Sequence, residues 1–269
     1  MKQKVNFTFN MAVEFLAAVY RYVNEDKLNK YNFRKNTELE KWSVNIDENI
    51  SPFLENDLKL VKKADGILWP LMKKSIREKI DTPEEFFRFL KEMDAERLVA
   101  EYINEMAHDI YEPGKRDNVD YIVENYFEEK KQIKFVKEII KSPEELKERL
   151  YIALNSFYRK FFKENVEKTA DLLEEKIAEH KDMYKQDNDL FFNNMLGYVK
   201  DSEIENYDEI NLLLLWHVEI FNFSFSVENK LYLMYGFALE QRINENIVEK
   251  KSREFFKVMA DKKRYEILK

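Results

Sequence analysis

Few side chains in this sequence are suited to chemistry: it has no cysteine and three histidines, set among 52 acidic and 45 basic residues. Without cysteine there is no thiolate nucleophile, no disulfide and no sulfur-ligated metal. Glu105 and His108 stand one helical turn apart, the spacing with which di-iron carboxylate bundles offer a carboxylate and an imidazole to one ion. Such bundles use the pair twice, whereas neither His180 nor His217 has a glutamate three positions earlier. Glu105 and His108 are therefore candidate metal ligands of a helical-bundle metal protein or enzyme, against the plainer reading of an ordinary helix surface. His217, between Trp216 and Val218, is expected at the start of an apolar strand as a hydrogen-bonded structural histidine. Charge runs such as Glu174-Glu175-Lys176 read as solvated helix faces. There is no glycine-rich phosphate loop, no Gly-x-Ser-x-Gly elbow and no His-Glu-x-x-His, and four glycines in all leave little from which to build a phosphate cradle. The expectation is a protein that is not an enzyme and needs no cofactor. Phe191, Phe192, Met195, Leu196, Tyr198 and Tyr207 are either core or the lining of an apolar pocket between helices.

The elements that must position these residues follow from composition. Hydrophobic residues make up 45% and charged residues 36% of the 269, a globular balance with a heavily ionised surface. Scarce glycine and proline, with abundant Lys, Glu, Leu and Ile, favour long helices. The 21 Phe and 15 Tyr are large core knobs. Absence of cysteine fits a reducing compartment. The amino end has no apolar run of signal-peptide length, and residues 212–216 are too few to span a bilayer, so a cytoplasmic protein with no membrane partner is expected. A net charge of −7 repels nucleic acid over most of the surface.

Along the chain, residues 5–9 alternate as a short strand, and Asn10 then caps a helix whose Met11, Phe15, Val19 and Val23 recur every four positions. Ser51-Pro52 opens another helix that Asp65-Gly66 closes. Thr82-Pro83-Glu84-Glu85 and Ser142-Pro143-Glu144-Glu145 each offer a hydroxyl cap, a proline and a glutamate able to close a capping box. Residues 94–111 form a helix with Leu98, Tyr102, Met106 and Ile110 on one face, ended at Pro113-Gly114. From Pro143 to about Tyr184 no breaker occurs, which predicts a long central helix, straight or kinked. Phe221 to Ser226 alternates strictly and is followed, after Val227-Glu228-Asn229, by Leu231 to Tyr235, which predicts a β-hairpin. The fold class expected is mainly α: a multi-helix domain with a small antiparallel β-sheet from residues 5–9, about 216–225 and 231–235. Beyond Gly236 the pattern returns to helix.

The chain ends with Glu254-Phe255-Phe256-Lys257-Val258-Met259-Ala260-Asp261-Lys262-Lys263-Arg264-Tyr265-Glu266-Ile267-Leu268-Lys269. This resembles the opening of ArsR-type winged-helix regulators, in which a Phe-x-x-Leu-Ala-Asp phrase precedes x-Thr/Pro-Arg-Leu-x-Ile-Leu. Phe256, Met259, Ala260, Asp261, Arg264, Ile267 and Leu268 fit, while Lys263 replaces the usual Thr or Pro and Tyr265 the usual Leu. The apolar face begun at Tyr265, Ile267 and Leu268 is expected to continue in a reading frame that runs on past Lys269, through the recognition helix that enters the major groove. The resemblance implies residues 1–236 as a helical regulatory or sensing domain, with residues 237–269 a connecting helix and the start of a DNA-binding domain. DNA is then the partner of the full-length protein and not of residues 1–269 alone. A homodimer, joined through helices between Gly236 and Lys257, is implied as well; with no cysteine here for the metal sensing familiar in that family, the effector expected is an apolar small molecule or a partner protein. A ligand-free interaction scaffold is the remaining alternative.

Overall fold

The computed structural model describes residues 4–28, 36–64, 66–107, 111, 119–127, 130–189, 191–192, 206–219 and 222–238. The chain is mainly helical with a small sheet, and it divides into two compact units: residues 9–31 with 35–172, and residues 1–8 with 32–34 and 173–269.

Among the described residues the first unit holds helices and no strand: α1 (Met11–Val23), α2 (Glu25–Leu28), α3 (Thr37–Asn49), α4 (Pro52–Lys63), α5 (Leu68–Arg77), α6 (Pro83–Glu92), α7 (Ala95–Ala107), α8 (Val119–Tyr126), α9 (Lys130–Lys141) and α10 (Pro143–Phe157), the boundary falling inside α11 (Val166–Gln186). Helix α1 is apolar around most of its circumference and is the buried centre, with Ala12, Val13, Phe15, Leu16, Ala17, Ala18 and Val19 fully enclosed. Its start is fixed twice: Asn10 Oδ1 accepts from the Val13 amide at 2.8 Å, and Asn10 Nδ2 donates to the Ile80 carbonyl at 2.7 Å. One asparagine thus caps its own helix and ties it to the turn before α6. Phe15 sits among the rings of Phe86, Phe87, Tyr158 and Phe162, centroids 5.4 to 6.3 Å away.

The long helix expected from Pro143 to about Tyr184 is interrupted by irregular turns. Between α10 and α11 the chain makes a π-helical turn, Tyr158–Phe162, and a 3-10 turn, Lys163–Asn165. Widening the turn lets Phe157, Tyr158, Phe161 and Phe162 all reach the core. The Phe161 carbonyl, at the irregular turn, accepts from the Trp42 indole N–H at 3.2 Å and from Asn165 Nδ2 at 3.1 Å.

The second unit holds β1 (Lys4–Thr8), β2 (Glu209–Leu215), β3 (Asn222–Val227) and β4 (Lys230–Gly236), in spatial order β1-β2-β4-β3. The hairpin is as expected: β3 and β4 are antiparallel, joined through Glu228 and Asn229, with Glu228 at a φ of 54°. The sheet differs from the antiparallel one expected. It is mixed, because β1 pairs with β2 and β2 with β4 in parallel. The strand expected at about 216–225 is instead a bend at Trp216–Glu219, after β2 has ended at Leu215, and then β3 from Asn222. Strand β2 is a nearly unbroken apolar run, Ile-Asn-Leu-Leu-Leu-Leu, because it lies between two strands with both faces buried.

Candidate functional site

The sites expected from sequence fare unequally. Both carboxylate oxygens of Glu105, on α7, accept from Lys73 Nζ at 2.7 Å, and Lys74 on α5 likewise reaches Glu101 at 3.3 Å. These neighbouring lysines clip α5 to α7, so the Glu105 carboxylate is neutralised by an ammonium rather than turned toward an ion. His108 lies outside the described residues, as do Met195, Leu196, Tyr198, the phrase Phe256 to Leu268 and the helices expected between Gly236 and Lys257, apart from Phe237 and Ala238. Among the described residues no group of three or more His, Asp or Glu is arranged to hold a metal, and no helix is long and apolar enough to cross a membrane.

The sheet unit gathers buried titratable groups at the carboxyl ends of its strands. His180 of α11 is 2% exposed and Tyr235 of β4 is 1% exposed. Their rings stack at 5.6 Å, and His180 Nδ1 lies 3.0 Å from the Tyr235 hydroxyl. Burial lowers the His180 pKa to about 4, helped by Lys176 and opposed by Glu179, and burial raises that of Tyr235. Both groups are therefore neutral near pH 7, and their hydrogen bond carries no charge. Phe191 packs on His180, and Phe7, Tyr184 and Phe192 complete the aromatic cluster. Phe191 is thus a core residue here, one of the two readings its sequence allowed, while Phe192 is half-buried. The signal that could have found His180 is its place in the stripe Leu173, Ile177, His180, Tyr184, which is helical spacing.

His217 is not in a strand but in the bend after β2, where it and Glu219 are 3% and 2% exposed. Glycine at 236 makes this bend possible. A Cβ there would stand 2.0 Å from the Val218 carbonyl oxygen, so only glycine permits the approach. The Phe237 amide donates to the Leu215 carbonyl and the Ala238 amide to the Glu219 carbonyl, while the Phe237 ring stacks on Trp216 at 4.3 Å. The carboxyl edge is thus closed by packing and backbone hydrogen bonds, an arrangement suited to holding polar groups in place.

The helical unit offers open space instead. One cleft of about 280 Å³ is lined by Tyr22, Glu25, Asp26, Asp47, Glu55 and Lys62, among others. Its acids are largely engaged: Tyr22 donates to Asp47 at 3.1 Å, Lys62 pairs with Asp26 at 2.9 Å and Lys59 with Glu55 at 3.1 Å. Burial, then Asp47, raises the Tyr22 pKa. A second cleft, of about 320 Å³, opens between α4, α9 and α10 and has an apolar floor of Leu60, Phe135, Ile139 and Leu146. This volume falls at the small end of ligand sites, about 300–1,000 Å³.

No protein-family model matches this chain, and the searches of curated proteins and of solved structures found none similar to it.

Proposed function

We propose that this chain is the effector-sensing region, the dimerising region or both, of an ArsR-like transcription regulator, with residues 1–236 its regulatory or sensing domain and residues 237–269 a connecting helix that leads into the winged helix. The observation that carries this reading is the carboxyl-terminal phrase Phe256, Met259, Ala260, Asp261, Arg264, Ile267, Leu268. A ligand-sized cleft with an apolar floor in the helical unit supports sensing of an organic molecule. The engagement of Glu105 by Lys73 weighs against the rival reading, a metal-binding helical bundle. With no cysteine among them, residues 1–269 supply no thiolate to a metal effector.

The test is a gel shift at physiological salt with duplex DNA from upstream of the gene. The product of the whole natural reading frame should bind selectively, and residues 1–269, at a net charge of −7, should show no sequence preference. A natural stop after Lys269, or selective binding by residues 1–269 alone, would remove the assignment. Analytical ultracentrifugation examines the dimer: Ile247→Glu with Phe255→Glu should shift it toward monomer, because charges in an apolar interface are costly.

A further inference from the structure

We infer that the outer edge of β3 docks a second copy of this chain, the two β3 strands pairing antiparallel about a two-fold axis at Ser224. The inference goes beyond the regulatory reading above and does not rest on it. Its contact lies within the sheet unit and is distinct in sequence from the helices expected between Gly236 and Lys257.

Strand β3 stands at one end of the order β1-β2-β4-β3, bonded to β4 on one side, and among the described residues no strand lies on the other. Which groups face out follows from the hairpin. Val227 pairs with Lys230 across a two-residue turn, so these two exchange both backbone hydrogen bonds, and the bonded pairs then recur at Phe225–Tyr232 and Phe223–Met234. Asn222, Ser224 and Ser226 fall between them, at positions where N–H and C=O point away from β4. Ser224 and Ser226 are exposed, so the edge offers donors and acceptors in alternation to another strand.

Native sheets blunt such an edge with a charge, a proline, a bulge or brevity. At the opposite edge β1 has five residues and begins with Lys4. Strand β3, Asn-Phe-Ser-Phe-Ser-Val, holds no charge and no proline, and it pairs with β4 residue for residue without a bulge. The charges next to it lie outside the pairing: Glu228 is in the turn, and Lys230, on β4, pairs with Glu209 at 3.0 Å. Two copies of a chain of net charge −7 repel over much of their surfaces. A neutral strand is where they can approach without that cost.

The strand also complements itself, which selects a second copy as the occupant. Pairing about Ser224 sets Asn222 against Ser226 of the second copy and Ser224 against its own counterpart, all through outward-facing groups, for about six hydrogen bonds. Phe223 then falls opposite Phe225 of the second copy in the closer, non-bonded position, with about 4.5 Å between Cα atoms, where aromatic pairs stabilise. Slipping the register by two residues leaves Asn222 or Ser226 unpaired, and slipping it by one sets inward groups against outward ones. Two four-stranded sheets become one of eight strands.

Analytical ultracentrifugation of residues 1–269 reads the association, with a dissociation constant on the order of 50 μM expected of so small a contact. Ser224→Lys sets two ammonium groups, and Ser224→Glu two carboxylates, opposite each other at the axis; each should weaken association by about fivefold. Mixed in equal amounts, the two variants should associate at least as tightly as the parent, because opposite charges then meet. Ser224→Pro, whose missing N–H faces outward, should leave circular dichroism unchanged and remove the contact. Hydrogen exchange gives a pattern that no helical interface produces: the amides of Asn222, Ser224 and Ser226 should slow as concentration rises, while those of Phe223, Phe225 and Val227 stay slow throughout. A monomer at every concentration up to about 1 mM, association indifferent to all three substitutions, or edge amides whose exchange does not change with concentration would each overturn the proposal. Association that responds only to Ile247→Glu with Phe255→Glu removes the edge contact and leaves the dimer of the regulatory reading. Association that responds only at Ser224 does the reverse.

Discussion

The two units spend their buried groups differently. In the helical unit Phe15 sits among Phe86, Phe87, Tyr158 and Phe162, with Glu14 and Arg21 of α1 and Lys74 of α5 buried as well, while ion pairs such as Lys63–Glu138 and Lys62–Asp26 sit at the periphery. In the sheet unit His180, Tyr235, His217 and Glu219 are all at most 3% exposed, held by a neutral hydrogen bond or by a bend pressed onto glycine. The ring cluster around Phe15 depends on volume, and the buried polar groups of the sheet unit on fit and protonation. Substitution and pH should therefore separate them.

The largest effect is expected from the ring cluster. Phe15→Ala should destabilise the helical unit by about 3 to 5 kcal/mol, the usual loss for a buried aromatic, read from chemical denaturation. Gly236→Ala is its counterpart in the sheet unit. With the new Cβ 2.0 Å from a carbonyl oxygen and 2.3 Å from Glu219 carbonyl carbon, about 3 kcal/mol should be lost to strain, with faster hydrogen exchange at the amides of Phe237 and Ala238. A Gly236→Ala chain as stable as the parent would show the bend to be loose, and the contrast between volume and fit would fail.

Protonation comes next. The folded His180 pKa, about 4, lies below the ordinary value near 6.5. The unfolded chain therefore binds the proton first, and this histidine's effect is complete at neutral pH. Its stabilising effect is then lost as pH falls from about 6.5 through about 4, below which it levels. Acid also protonates Glu85, Asp120 and Glu209, whose pKa values are lowered, so the informative quantity is the difference from His180→Phe. That variant should lack the part of the slope between pH 6.5 and 4, where an unchanged slope would mean that the imidazole is hydrated in the fold.

The smallest effect sharpens the comparison inside the helical unit. Thr82 and Ser142 open α6 and α10 with the same residue pattern, but only Thr82 closes a capping box, with Glu85 returning its carboxylate to the Thr82 amide. Ser142 takes a ψ of 63° and makes no side-chain cap. Thr82→Ala should cost about 1 kcal/mol and Ser142→Ala a few tenths at most, measured by thermal unfolding. Equal costs would mean that Ser142 caps α10 in solution.

What was legible in the sequence was local. Asn10, Ser51 and Thr82 announced helix starts because a cap and its amide lie within one turn, and Phe221 to Ser226 announced β3 because alternation is written in consecutive residues. The π-helical turn at Tyr158–Phe162 left no mark in a run that holds no breaker. Strand β2 escaped because a run buried on both faces alternates no more than a buried helix does. The parallel sense escaped because Phe7 pairs with Leu212, and nothing near either residue states the direction of the other. The clefts were invisible for the same reason: Leu60, Phe135 and Leu146 share a floor only after three separate helices have packed. Glu105 looked free because Lys73, on another helix, is what occupies it.

The register that joins Lys4 to Glu209 also sets a schedule for biosynthesis. A ribosome adding about 5 to 20 residues per second delivers β2 some 10 to 40 s after β1, an interval in which the helical unit emerges whole. Residues 4–8 must wait through that interval with both edges open, the condition in which a strand recruits the wrong neighbour. Brevity and composition reduce the hazard. Lys4, Asn6 and Thr8 interrupt the apolar positions of this five-residue strand, so the segment that waits longest is also a poor template for association between nascent chains.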